Sequence, residues 1–255
     1  MSYIIPAIPI INKWNKVNKS IYPNTNCTSI VLFNSKLDST LGIPRITKFI
    51  RDLTYLNTRS LEILVGILLG DAYLKLDANN NNVRIAFKQS IINFPFMWTV
   101  FTELSHFCSS IPRFDRVYLK STGKTYGQLI LETRTYPIMN VLYTLFIQDS
   151  KKVIKEELFN FLSPVALAFW IMSDGVSTQY GLTICTDGYT LKDVVLLINI
   201  LNIRYDLDCT IHYSRGLPRI YIKANSMDKL RKIVNPHIIS FSAYKLRKGK
   251  RNVNF

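Results

Sequence analysis

Two segments of the sequence each end an apolar run in one carboxylate. The first reads LVGILLGD over residues 64–71, and the second reads LAFWIMSD over residues 167–174. A buried helix that ends in an acid can deliver that acid to a seam, and two such helices can bring two acids together. A divalent metal would offset the repulsion between the two carboxylates. The pattern therefore predicts metal-dependent chemistry at Asp71 and Asp174.

The elements that must position these acids follow the same order in each half of the chain. Hydrophobic periodicity and turn residues predict helix, strand, helix, strand, strand and helix. In the first half these are residues 59–74, 83–88, 94–108, 116–120, 126–134 and 139–146. In the second half they are residues 163–174, 180–186, 190–203, 209–214, 219–223 and 226–234. This order predicts an α+β fold of two pseudo-symmetric αβαββα halves, with antiparallel sheets and the two apolar helices packed at the centre.

The domain boundaries follow from the repeat. We expect a first half over residues 56–150 and a second half over residues 151–255 with a basic C-terminal tail. Residues 1–55 are rich in Asn, Ser, Lys and Ile and lack clear periodicity, so we interpret them as an N-terminal extension with one helix near residues 46–53. The N-terminus is interrupted by prolines and does not resemble a signal peptide.

The charge of the chain indicates a polyanionic partner. The net charge is +15, from 32 basic and 17 acidic residues among 255. A folded chain this basic favours nucleic acid over membrane. No apolar run is long enough to predict a spanning helix, so a membrane partner is not expected. The four cysteines form no CxxC pair, which argues against zinc.

The two repeated segments resemble the signature of the LAGLIDADG homing endonucleases, in the single-chain form that carries two motifs. One copy alone would more often be a plain core helix, but two copies at half-chain spacing in a basic protein favour the family. Phe169 stands where the signature usually has a small residue, and Leu69 and Met172 replace its first acid. The matching positions are Leu64, Gly66 and Asp71 in the first segment, and Leu167, Ala168, Ile171, Asp174 and Gly175 in the second.

The resemblance implies an endonuclease that hydrolyses both strands of DNA. It implies Mg²⁺ (or Mn²⁺) held by four residues, namely Asp71, Asp174, Gly70 and Ser173. A basic residue from each half is expected near the metals, and Lys152 and Lys245 occupy similar positions. Gln89 resembles a polar residue that supports solvent, and Asp187 would be its counterpart. A staggered cut with 3′ overhangs, an intron-encoded gene and a mitochondrial location are also implied.

The predicted strands carry basic and aromatic residues at period two, which indicates one apolar and one basic face. A basic ribbon of this kind can enter the major groove of DNA. Two such sheets in one monomer would cover about 20 base pairs of a non-palindromic target. The expected DNA-binding residues are Arg84, Lys88, Arg116, Tyr118, Lys120, Arg134, Thr183, His212, Arg215, Arg219, Tyr221 and Lys223.

Two other functions fit the same residues. Some members of this family are maturases that assist splicing of their own intron RNA, which a basic surface would also serve. A second alternative is a DNA-binding protein that has lost cleavage and needs no metal. Retention of both Asp71 and Asp174 argues that cleavage is retained, and it leaves open a maturase that also cuts DNA.

Overall fold

A computed structural model describes residues 41–42, 45–77, 82–120 and 123–247. Most of the predicted N-terminal extension lies outside the described residues, as does the end of the basic tail. A short helix, α1 (Lys48–Leu53), begins the regular structure, and the Thr47 side chain accepts a hydrogen bond from the backbone N–H of Ile50. No helix in the described ranges has the length and apolar character needed to cross a bilayer.

The first half folds as a four-stranded antiparallel sheet with helices on one side. Its sheet has the order β1-β2-β4-β3, so the last hairpin lies at one edge. Buried side chains of β2 and β4, such as Phe87 and Leu131, face helix α3. Its elements are α2 (Thr58–Leu69), β1 (Ala72–Leu76), β2 (Val83–Ser90), α3 (Phe94–Leu104), β3 (Arg113–Leu119), β4 (Lys124–Glu132) and α4 (Asn140–Phe146).

The second half repeats this arrangement after a short linking segment. The linker contains a small hairpin, β5 (Ile147–Gln148) with β6 (Lys151–Lys152), and helix α5 (Leu158–Phe161). The second sheet has the order β7-β8-β10-β9, which matches the first strand for strand. Its elements are α6 (Pro164–Asp174), β7 (Gly175–Ser177), β8 (Leu182–Ile184), α7 (Leu191–Tyr205), β9 (Cys209–Ser214), β10 (Leu217–Ile222) and α8 (Met227–Val234).

Local sequence explains where the two motif helices, α2 and α6, begin. The Asn57 side chain accepts a hydrogen bond from the backbone N–H of Ser60 at 2.7 Å and caps α2. Ser163 caps α6 in the same way, with a proline at the first helical position. Such caps satisfy backbone N–H groups that have no partner within the helix. Both helices are buried along nearly their whole length, so they form the centre of one continuous core.

The α+β class, the antiparallel sheets and the central motif helices are confirmed. The element order was wrong in one respect, because each half has a strand directly after its acid. Residues 72–74 were predicted to extend the first motif helix, but α2 ends at Leu69 and β1 starts at Ala72. In the second half, Gly175 begins β7 at once. Each half is therefore αββαββα, and each acid lies at a helix-to-strand corner.

Candidate active site

The motif helices meet backbone to backbone, and glycine makes this contact possible. A Cβ atom on Gly66 would lie 2.5 Å from the carbonyl oxygen of Ala166 and 2.7 Å from the Cβ of Phe169. A Cβ atom on Gly70 would lie 2.4 Å from the Cβ of Ser173. Real Cβ atoms do not approach other atoms so closely, and only glycine fits at these two positions. The unusual Phe169 is accommodated because it packs directly over Gly66.

The same contact brings Asp71 and Asp174 together at the ends of the helices. The Cβ position of Gly70 is 3.3 Å from the Oδ2 atom of Asp174, so the second acid lies against the residue that precedes the first. Two helix C-termini, each carrying partial negative charge, converge here. The arrangement therefore concentrates negative potential at one small site.

Asp71 is exposed and is held by a side chain from β2. The Gln89 side chain is buried and donates a hydrogen bond from Nε2 to Asp71 Oδ2 at 2.6 Å. Asn93 in turn donates to Gln89 Oε1 at 2.8 Å, which fixes the orientation of the amide. The structure thus places the Gln89 side chain in direct contact with Asp71, the first of the two predicted acids.

Asp174 is less exposed, and its environment opposes ionisation. Burial and, to a smaller extent, the nearby charge of Asp71 raise the pKa of Asp174 to about 7, against the opposing charges of Lys152 and Lys245. The charged form of this carboxyl group is therefore disfavoured in the metal-free protein. A bound divalent cation would favour its charged form.

Each predicted lysine reaches the end of one motif helix. Lys245 is buried and donates hydrogen bonds from Nζ to the carbonyl oxygens of Met172 at 2.6 Å and Ser173 at 3.0 Å. Lys152 Nζ lies 3.4 Å from the carbonyl oxygen of Gly70. Burial lowers the pKa of Lys152 to about 8 and also lowers the pKa of Lys245. Lys151, the neighbour of Lys152, is exposed.

Tyr189 is a contact between the halves that the sequence did not reveal. Its buried hydroxyl donates a hydrogen bond to the carbonyl oxygen of Leu69 at 2.8 Å, so a residue of the second half supports the end of the first motif helix. The Lys152 ammonium lies 5.2 Å from the centre of the Tyr189 ring. Nothing in the sequence around Tyr189 indicates this role, because it depends on the packing of two elements that are distant along the chain.

The donor atoms at the site suit a hard divalent cation. Two carboxylates and the backbone carbonyls of Gly70 and Ser173 offer only oxygen, which Mg²⁺ and Mn²⁺ prefer. Within the described ranges, no three His, Cys, Asp or Glu side chains form a closed metal cage. A cation here would therefore need water or substrate oxygen to complete its shell. The unfavourable burial of the Asp174 carboxylate also fits a site that binds positive charge.

The second sheet presents four of the predicted DNA-binding residues on one face. His212 is paired directly with Arg219, and Thr183 with Tyr221, so their side chains lie on the face opposite the core. The His212 and Tyr221 rings stack with centres 4.3 Å apart. Arg215 lies in the β9–β10 turn. We call Thr183, His212, Arg219 and Tyr221 the outer face of the second sheet.

Two charged side chains of this region are already paired. Arg219 donates two hydrogen bonds to the Asp187 carboxylate, at 2.7 and 2.6 Å, so Asp187 does not act as a second-half equivalent of Gln89. The guanidinium of Arg219 lowers the pKa of Asp187. Lys223, just after β10, forms a salt bridge with Asp208 at 2.9 Å.

In the first sheet, the predicted set is divided between two faces. Arg84 and Lys88 lie with Lys75 on the outer face, opposite the core. Arg116 is paired with Gly127, on the helix-facing side, and Tyr118 shares that side. The expectation that Arg116 and Tyr118 share a face with Arg84 was therefore wrong. Arg113 takes this place, because its pairing with Ile130 aligns it with Lys88. Lys120 and Arg134 lie just beyond the ends of β3 and β4.

The sequence is similar to proteins of one family. The sequence profile of the LAGLIDADG DNA endonuclease family matches residues 61–230. The cytochrome b mRNA maturase bI2 of Saccharomyces cerevisiae is 32% identical over 204 residues, which is 75% of this chain. The aligned region covers only 48% of that longer relative. A probable intron-encoded endonuclease 1 of Wickerhamomyces canadensis is 29% identical, over 81% of this chain and 93% of the relative.

A solved structure agrees with the fold. The homing endonuclease I-WcaI, determined bound to its DNA recognition sequence, superimposes with a TM-score of 0.74 at 28% identity. The match covers 81% of this chain and 96% of that protein. The overlap includes both halves, since neither half alone makes up so large a share of the chain.

Proposed function

Because the chain belongs to the LAGLIDADG DNA endonuclease family, we propose that it is a site-specific endonuclease that cuts both strands of a long, non-palindromic DNA target. The observation that carries this proposal is the convergence of Asp71 and Asp174 at the ends of two packed helices, each beside a lysine. The similarity to a homing endonuclease solved with its DNA supports duplex DNA as the partner. The unequal sequences of the two sheets support an asymmetric target.

In this proposal Asp71, Asp174 and the carbonyls of Gly70 and Ser173 hold Mg²⁺ or Mn²⁺ together with the scissile phosphates. The bound cation would polarise a phosphoryl oxygen, lower the pKa of water and stabilise the leaving oxygen. Gln89 keeps the Asp71 carboxylate in place through its 2.6 Å hydrogen bond. The close packing at Gly66 and Gly70 fixes the separation of the two acids, which the chemistry requires.

The two lysines are proposed to order and neutralise the site. Lys152, with a pKa of about 8, can hold or release a proton near the pH of the reaction. Lys245 is fixed by its bonds to the last carbonyls of α6, so its charge stays close to Asp174. Both would stabilise the negative charge that develops on the phosphate. The predicted staggered cut with 3′ overhangs remains part of the proposal.

The outer faces of the two sheets are proposed to bind the DNA. Arg84, Lys88 and Arg113 from the first sheet and His212 and Arg219 from the second offer donors for base edges and phosphates. A monomer is expected to suffice, since one chain supplies both acids and both faces. An intron-encoded, mitochondrial origin is supported by the names of the relatives, which include intron-encoded endonucleases and cytochrome b mRNA maturases.

The test is cleavage of a DNA library with Mg²⁺ or with EDTA, for the wild type and the Asp174→Asn variant. We expect one discrete, metal-dependent double-strand cut that the variant loses while it still binds DNA. Asp228→Asn is the matched control, because this carboxylate is 73% exposed on α8. Full cutting by Asp174→Asn would refute the assignment of the site.

A maturase function is the second candidate, because two relatives at 30% and 32% identity are cytochrome b mRNA maturases. In that case the protein would bind its intron RNA tightly and promote splicing. If the wild type cuts no DNA but binds intron RNA with high affinity, the maturase replaces the endonuclease as the main function. If it does both, the chain has two activities. Binding of DNA without cleavage by the wild type would instead indicate a DNA-binding protein.

A further inference from the structure

Four arginines from separate elements line a cavity at the edge of the first sheet. The cavity has a volume of about 340 Å³. Arg51 comes from α1, Arg84 from the start of β2, Arg113 from the start of β3, and Arg134 from the segment after β4. Elements that are far apart in the sequence thus place their guanidinium groups around one space.

The positive charge of this arginine pocket is only partly neutralised. Two carboxylates, Asp77 and Glu132, also line it. Glu132 forms a salt bridge with Lys75 at 2.8 Å, so its negative charge is shared with a residue other than the four arginines. In the described part of the chain, Arg84 and Arg113 form no salt bridge within 4.0 Å, although both are close enough to lower the pKa of Glu132.

One donor in the pocket is buried without a partner. The Nε atom of Arg51 is inaccessible to solvent and makes no hydrogen bond to any described atom. A buried donor that lacks an acceptor costs about 1–3 kcal/mol, and an ordered water or a ligand can supply the acceptor. The hydroxyl groups of Ser109 and Ser110 add further donors to the wall, whereas the Thr133 hydroxyl already donates to the carbonyl oxygen of Arg134.

The chemistry of the pocket matches a phosphate group. Guanidinium groups present planar pairs of N–H donors that fit phosphate oxygens, and hydroxyl groups complete such sites. At roughly 30 Å³ for each water, the cavity has space for about ten waters, which is enough for a hydrated phosphate.

The position of the pocket separates it from the cleavage centre. Arg84 and Gln89 lie on the same strand, and five residues of strand span roughly 17 Å. Gln89 contacts Asp71, so a phosphate in the pocket cannot be one of the two scissile phosphates. Arg84 and Arg113 share the outer face of the first sheet, which places the pocket beside the proposed DNA path.

We propose that the arginine pocket binds a backbone phosphate of the DNA in the outer part of the first half-site. This contact would position the duplex on the first sheet without reading its sequence. The inference rests on the proposed function, because it takes duplex DNA as the ligand. It adds Arg51 and the loop hydroxyls, which lie outside both sheets, to the DNA-binding surface.

The first test compares equilibrium DNA binding of wild type, Arg51→Gln, Arg51→Lys and Arg45→Gln in EDTA, at salt concentrations from about 50 to 200 mM. Loss of one phosphate contact should weaken binding of Arg51→Gln about tenfold and reduce the slope of log K against log salt by about 0.9. Arg51→Lys should lose part of the affinity, because lysine keeps the positive charge but lacks the paired N–H donors of the guanidinium group. Arg45→Gln removes the same charge from an exposed residue outside the pocket and should change little.

The second test uses only the wild-type protein for its first step, so it does not depend on the folding of a variant. Single phosphates of the DNA target are replaced one at a time by uncharged methylphosphonates. We expect one position in the outer first half-site to weaken wild-type binding about tenfold. The same replacement should weaken binding of Arg51→Gln by less than it weakens the wild type, because Arg51 no longer contributes while the other three arginines remain.

The outcomes separate the pocket from the proposed function. If wild type and Arg51→Gln bind DNA with equal affinity and equal salt dependence, and the protein still cuts DNA, the phosphate-binding role of the pocket is refuted and the proposed function is not. Equal losses in Arg51→Gln and Arg45→Gln would overturn it in favour of a net-charge effect. A loss of intron RNA binding with unchanged DNA binding would assign the pocket to RNA and overturn the inference as stated. Absence of any DNA binding by the wild type would refute the proposed function itself.

Discussion

The close contact between the motif helices can be tested by adding one methyl group. Gly66 lies in the interior of α2, where alanine is normally better than glycine by about 1 kcal/mol. In this protein the added Cβ would lie 2.5 Å from the carbonyl oxygen of Ala166 and 2.7 Å from the Cβ of Phe169. Overpacking of a core costs about 1–3 kcal/mol, and more when backbone must move. Because both obstacles are fixed on a buried helix, we expect Gly66→Ala to destabilise the protein by about 2 kcal/mol net.

The measurement is urea unfolding, together with a thermal melt. For a chain of this size, a loss of about 2 kcal/mol lowers Tm by roughly 4–8 °C. Gly188→Ala is the matched control, since a Cβ there meets no atom within 4 Å. The control should stay within about 0.5 kcal/mol of wild type. Separation of the helices would also move Asp71 relative to Asp174, and a misplacement of about 1 Å can reduce the cleavage rate about 100-fold.

Helix propensity predicts that Gly66→Ala stabilises the protein, whereas packing predicts that it destabilises it. The sign of the measured change therefore distinguishes the two effects. A Gly66→Ala protein that is as stable as wild type, or more stable, would refute the close-packed interface described above. Destabilisation of equal size in Gly188→Ala would show that the loss does not come from this interface.

Three further perturbations test the charges of the site. The pKa of Asp174 is raised from 3.8 to about 7, so the folded protein loses stability as pH rises through this window. Asp174→Asn removes this penalty. It should therefore stabilise the metal-free protein by up to about 4 kcal/mol above pH 7 and hardly at all near pH 4. Thermal melts in EDTA at the two pH values measure this, and equal shifts at both would contradict it. The pKa of Lys152 is lowered from 10.5 to about 8, so burying its charged form destabilises the folded protein fully below pH 8 and no longer does so at pH 10.5. Lys152→Met should therefore stabilise the protein at pH 7 by up to about 3 kcal/mol. Cleavage by this variant should fall at least about tenfold. A variant that is destabilised at pH 7 would oppose this reading. The Asp187–Arg219 ion pair is partly exposed, so Asp187→Asn should change the free energy of unfolding by less than about 1 kcal/mol. The same variant should alter the base preference in the second half-site, as measured by binding to a library of single-base changes. An unchanged preference would argue against a role for Arg219 in reading the DNA sequence.

The sequence was sufficient to predict the centre of the fold, because the signal there is carried by local residues. Small residues at Gly66 and Gly70 and terminal acids at Asp71 and Asp174 describe the packing of two helices and their ends without knowledge of the rest. Lys152, which the resemblance placed near the metals, reaches the end of α2, while its neighbour Lys151 is exposed.

The strands β1 and β7 could not be predicted in this way. Residues 72–74 continue an apolar run that reads equally well as helix, and no proline marks the corner. The chain turns at Gly70, whose φ of −101° and ψ of −122° lie outside the helical region. At this turn Gly70 lies against Ser173 of the other half, which is a tertiary contact. Periodicity within one segment cannot report it.

The division of the first sheet between two faces has a different cause. Period two shows which residues of a strand share a face, but not which face they share with another strand. Arg116 and Tyr118 alternate correctly, yet the pairing of Arg113 with Ile130 turns them toward the helix side. The register of β3 is set by its hairpin with β4, and a shift of one residue would have reversed the assignment. The arginine pocket could not be predicted from the sequence either, because Arg51 and Arg113 are distant along the chain and line one cavity only in the folded protein.

The two halves share a topology but give their acids different surroundings. Asp71 is exposed and accepts a hydrogen bond from Gln89, whereas Asp174 is less accessible and its pKa is raised to about 7. In the second half, the predicted counterpart Asp187 instead pairs its charge with Arg219. A symmetric dimer could not differ in this way, because identical subunits give identical sites. Fusion of both halves in one chain allows each acid and each sheet to change independently, and it is this independence that suits the protein to a target whose two half-sites differ.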